Sequence, residues 1–143
     1  MQNLNEEMKS LKSSHSEYIH QLNEVSNCIK ELEASLIANE LFYEYKFEAE
    51  RSQFDEYDYK SWELQWKKSE HGKWRIYSVF IKFNCGDLSY SEKPFGEEPA
   101  ELRIEKVCHL KNFTRSMQNY FSKQSNKAQL GLLEARNESG MPF

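Results

Sequence analysis

No glycine occurs before Gly72 and no proline before Pro94. For half of the chain nothing punctuates the backbone, which argues against a turn-rich N-terminal half and for long regular elements. No apolar run approaches the roughly 20 residues that span a bilayer. The first seven residues, from Met1 to Glu7, lack the basic and apolar stretches of a signal peptide. The expectation is a cytoplasmic protein without membrane contact. Three cysteines, Cys28, Cys85 and Cys108, form an odd set with no pairing motif, so free thiols are expected rather than a disulfide framework. Cys85 and Cys108 with His71 and His109 match no standard metal-ligand spacing, and neither metal nor cofactor is expected.

Catalytic motifs are equally scarce. Five scattered glycines make no phosphate-binding loop. None of the four histidines stands in a nucleophile motif. The acid clusters Asp55-Glu56-Tyr57-Asp58 and Glu97-Glu98 lie in polar stretches, where carboxylates are normally solvated. The reading is therefore of a protein that is not an enzyme.

What is present is patterned. The net charge of −4 is segmented: residues 40–58 carry seven acids against two bases, whereas residues 60–83 carry six bases against two acids. Residues 103–127 again carry six bases against one acid. Such blocks make charged faces once the chain folds.

The strongest pattern is a heptad. Met8, His15, Leu22, Ile29 and Leu36 fall on one core position, and Leu4, Leu11, Tyr18, Val25 and Leu32 on the other. The outward positions between them are polar. This is the narrow seam of a coiled coil, sustained for over four heptads. A helix of that length runs ~50 Å, longer than a small domain, so its seam predicts a second helix and most simply a second copy of the chain.

Beyond Asn39 the period changes to two. Leu41, Tyr43, Tyr45 and Phe47 alternate with polar partners, which predicts a strand, with a continued helix as the alternative. The stretch 51–60 reads as a polar loop. Trp62, Leu64 and Trp66 begin a hairpin that turns at Ser69-Glu70-His71-Gly72 and returns from Lys73 to Phe83. On the return strand the apolar parity switches near Tyr77-Ser78, which implies a bulge or a central strand with two apolar faces. Asn84-Cys85-Gly86-Asp87 is a second turn, followed by a short strand at 88–91. Pro99 and its acidic neighbours open helical segments whose inward stripe includes Leu110, Phe113 and Met117.

These features give an α+β fold: a long N-terminal coiled-coil helix, a small antiparallel sheet of three or four strands, and C-terminal helices covering it. The expected organisation is an oligomerisation helix at 1–39, a small α+β domain at 40–125 and a weakly structured tail at 126–143. The expected function is a homo-oligomeric adaptor or inhibitor acting on a protein partner. An alternative comes from Lys67, Lys68, Lys73, Trp74, Arg75, Tyr77 and Arg103, where bases interleaved with aromatics could bind nucleic acid or a nucleotide.

Overall fold

The computed structural model describes residues 2–139. Helix α1 spans Gln2–Ala38 and is followed by strands β1 (Tyr45–Gln53), β2 (Asp58–Lys68), β3 (Trp74–Asn84) and β4 (Asp87–Pro94). A 3-10 turn at Phe95–Glu97 leads to α2 (Ala100–Lys106), a second 3-10 turn at Val107–His109, and α3 (Leu110–Ser139). The strands form one antiparallel meander in the order β1-β2-β3-β4. The fold class is α+β, with four strands among the described residues.

Helix α1 stops without glycine or proline. Leu41 N–H donates to the Leu36 carbonyl at 3.0 Å and Glu40 N–H to the Ile37 carbonyl at 2.9 Å. These paired bonds close the helix end in the manner of a Schellman motif, with Glu40 in the left-handed position usually given to glycine, at φ 58°. A left-handed non-glycine residue costs roughly 1–2 kcal/mol. The chain is held there by Trp66, whose indole N–H donates to the Leu41 carbonyl at 2.6 Å. The period change at Asn39 was thus readable in sequence, but its cause is a backbone closure.

Strand β3 is central, paired in continuous register with β2 and β4, and its parity switch contains no bulge. Ile76 and Ser78 face the same side as Trp62, Leu64 and Trp66; Val79, Ile81 and Phe83 face the other. The first side carries the core: Trp66, Leu64 and Ile76 are fully buried, as are Ile29 of α1 and Phe95 of the 3-10 turn. The irregularity lies in β1, where the register shifts between Glu48 and Glu50. Strands β1 and β2 also continue to Gln53 and back from Asp58, so the expected loop at 51–60 is only four residues long.

Contacts divide the chain into residues 1–110 and residues 111–143. Helix α1 belongs with the sheet because its C-terminal half is spent there. Glu33, 9% exposed, accepts a hydrogen bond from Ile76 N–H at 2.8 Å, beyond the point where β4 ends opposite Tyr77. Arg103 of α2 donates to the Ser26 hydroxyl and, through Nε, to the Glu98 carbonyl at 2.8 Å. In the second unit, α3 runs through Gly131 to Ser139 as one helix, where a weakly structured tail was expected from 126. Phe113 and Met117 are buried, whereas residues 122–137 are exposed throughout. Residues 140–143 of that expected tail lie outside the described residues.

Candidate functional site

The heptad seam is used in two different ways. From Ser26 onward its residues turn to their own domain: Ile29 and Leu36 are 0% and 5% exposed, and Leu32 is half-buried. Leu22 and Val25 are half-buried at the transition. Toward the N-terminus the same pattern has no cover. Leu4, Met8 and Leu11 are 55–60% exposed, and Tyr18 and Ile19 about 40%. His15 is exposed as well. The ten seam residues therefore do not make one uniform interface. Ile29 and Leu36 belong to the core of residues 1–110, where they are already covered within a single copy.

The sheet face away from α1 is a second open surface. Lys46, Gln65, Lys67, Val79, Ile81, Leu88, Tyr90 and Glu92 surround a shallow depression of about 240 Å³. Leu88 and Tyr90, both on the edge strand β4, are 62% and 68% exposed. Aromatic and cationic groups fill the neighbouring positions: Arg51 lies 4.0 Å above the Tyr59 ring, which stacks on Phe83 at 5.5 Å.

The basic and aromatic residues singled out in the hairpin do not gather on one surface. Lys67 forms an ion pair with Glu92 and lies 5.0 Å from the centre of the Tyr77 ring, on the open face. Trp74 stands on the opposite side, tilted against Trp66 and Phe42 at 5.5 and 5.8 Å. Arg75 binds Glu33 at 3.6 Å and Glu97 at 3.2 Å, so its charge joins α1 to the segment after β4. Arg103 is committed to Glu98 and Ser26. Lys68 and Lys73 alone of the set are exposed, at the hairpin turn. The pleat sends successive residues such as Trp74 and Arg75 to opposite faces, and nothing local in the sequence revealed the distant acceptors of Arg75 and Arg103.

Sequence reasoning missed a compact polar cluster. The β1 irregularity sets Glu50 opposite Trp62, on the helix-bearing side; an unbroken strand would have placed Ala49 there. Glu50 receives hydrogen bonds from Lys106 at 2.5 Å and shares one with His109 Nε2 at 2.7 Å. Lys106 lies 5.5 Å from the Trp62 ring centre and His109 5.6 Å. The Lys106 hydrogen bond holds the Glu50 carboxyl below its ordinary range, against the opposing effect of burial, and His109 adds to it. Burial by itself would lower Lys106, but the bond and charge of Glu50, helped by Glu105, raise it. Beneath Trp62, its indole N–H donates to Ser78 Oγ at 2.8 Å. Glu98, hydrogen-bonded to the same serine, is pushed up by burial despite the nearby Lys93. Within the cluster the ammonium and carboxylate satisfy each other, an arrangement that fastens α2 to β1. The signal available beforehand was Glu48 and Glu50 in one strand, a spacing that a bulge alone can send to two faces.

His71 and Cys85 lie in turns at opposite ends of the sheet, and among the described residues no group of three His, Cys, Asp or Glu side chains could hold a metal ion. Nor is any described helix long and apolar enough to cross a membrane. No protein-family model, curated protein or solved structure matches this chain.

Proposed function

We propose that this protein is a self-associating adaptor or inhibitor, which pairs through the N-terminal half of α1 and works by binding another protein. The observation that carries the reading is the exposed half of a heptad whose other half is buried. Leu4, Met8, Leu11 and Tyr18 continue the spacing of Ile29 and Leu36, yet stand in solvent in a single copy. A helix with this self-complementary spacing is the surface such a stripe fits best.

The magnitude favours a modest affinity. Five apolar side chains on each copy, about half-exposed, contribute about 1 kcal/mol each when covered. Their sum of about 10 kcal/mol is opposed by at least ~4 kcal/mol for lost freedom on association. At most ~6 kcal/mol remains, which corresponds to a Kd no tighter than tens of micromolar. Light scattering from about 5 to about 500 μM should show the molar mass rising toward that of a dimer. Leu11→Asp should abolish the rise and leave the fold intact, since the site is 60% exposed in one copy. A mass that stays monomeric in the unaltered protein overturns the reading.

The open sheet face supports the second half of the proposal, with Leu88 and Tyr90 as an apolar centre and Lys46, Lys67 and Glu92 as a polar rim. A partner held through this face should be lost with Tyr90→Glu while self-association persists. Nucleic acid or a nucleotide is less well supported as the target, because Arg75 and Arg103 already serve acceptors within the chain.

A further inference from the structure

Resting on the self-association proposed above, the geometry points to an antiparallel dimer in which α1 of each copy overlaps the other from Leu4 to Leu22 and no further. At 3.6 residues per turn, the mean direction of the exposed stripe, Leu4 to Tyr18, agrees with that of the domain-facing residues, Ser26 to Leu36, within about 10°. The domain therefore stands on the same side of α1 as the partner must, a few turns further along.

That placement separates the two orientations. In a parallel pair both domains would project into the space between the helices. Helices that meet 8–10 Å apart and cross at about 20° separate by only ~7 Å more over the residues from Leu22 to Leu36. Two domains between them need roughly 30 Å, counting a helix-to-sheet layer in each copy and the contact between the sheets. An antiparallel pair meets no such obstacle. Leu4 of one copy then opposes Leu22 of the other, Met8 opposes Tyr18, and Leu11 opposes His15. These layers use the exposed seam together with the half-buried Leu22, and each helix ends just before Ser26 of the other copy, where Arg103 of that copy is bonded. The joint covers on the order of 1,000 Å², near the lower bound for a specific interface.

Surface charge opposes this choice slightly. A parallel pair brings Glu7 beside Lys12 of the other copy, whereas the antiparallel pair brings the two Lys12 side chains together at the two-fold axis. Exposed ion pairs change association only by roughly two- to five-fold, too little to offset overlapping domains.

The exposed thiol of Cys28 provides the test. A chain carrying Cys85→Ser and Cys108→Ser is spin-labelled at Cys28, and the label-to-label distance is measured by pulsed electron resonance at dimer-forming concentration. Light scattering is performed on the same sample. The antiparallel overlap separates the two labels by about 45 Å along the helix axis, and a parallel pair leaves them less than about 25 Å apart. A dimer with the long distance is expected. A dimer with the short distance overturns the orientation and leaves self-association standing. A labelled chain that is monomeric in both measurements, as the unlabelled chain would then also be, overturns self-association itself. Met8→Asp should remove the dipolar signal together with the dimer.

Discussion

Glu33 gives the sharpest test of how α1 is joined to its domain. Its carboxylate accepts the Ile76 N–H at 2.8 Å and lies 3.6 Å from Arg75 Nε, while only 9% of the residue is exposed. Replacing it by alanine leaves the Ile76 N–H without an acceptor in a place that β4 does not reach. A hydrogen bond to a charged group contributes about 1.5–3 kcal/mol, and a buried donor left unsatisfied costs about 1–3 kcal/mol. These are two views of one loss, so the expected cost is about 2–3 kcal/mol. Arg75 is not orphaned by the change, because Glu97 remains at 3.2 Å. Glu33→Gln keeps a carbonyl oxygen for Ile76 and loses the attraction to Arg75, so it should cost about 1 kcal/mol less than alanine. Urea unfolding of both variants, in a Leu11→Asp background to remove association, reads the difference. With a slope of about 1–3 kcal/mol per molar, the alanine variant should unfold roughly 1 M earlier. Equal midpoints for Glu33→Ala and Glu33→Gln would show that the Ile76 bond is not what fastens the helix.

Ile29→Ala and Leu11→Ala truncate the same seam yet should act on different quantities. The first should cost about 2–5 kcal/mol of unfolding free energy at every protein concentration; the second should cost less than about 1 kcal/mol in a dilute sample and weaken self-association. Equal effects on dilute-sample stability would refute the division of the seam. The Glu50–Lys106 pair predicts a pH dependence. Glu50 is lowered below 4.5 in the fold, so its contribution is present above that pH and is lost as pH falls through the lower folded value. Lys106 is raised above 10.5, so its contribution is complete below that pH and lost above it. Glu98 is raised, so its shift favours the fold below 4.5 and partly offsets Glu50 in acid. The stability gap between the unaltered protein and Glu50→Gln should therefore be largest near neutrality and shrink as pH falls below 4.5 in urea titrations. A gap that does not shrink as the pH is lowered contradicts the pairing.

Periodicity alone determined much of this protein. The heptad specified a long helix and its apolar line, the alternation around Trp62 and Trp66 specified the hairpin, and Cys85-Gly86 specified the tight turn, with φ of 49° and 91°. These are local properties, set by backbone geometry and by which residues can share a face. Tertiary structure decided what each face meets. Ile29 and Leu11 both lie on the heptad's core seam, and only the position of the sheet makes one core and the other surface. Arg75 reads as a free cation beside a tryptophan until α1 brings Glu33 to it. Glu50 joins Lys106 and His109 because β1 slips by one residue, and a slip of one moves a side chain to the other side of a sheet. Contacts between residues far apart in sequence leave no periodic trace, so the partners of these groups emerged only when the chain closed on itself.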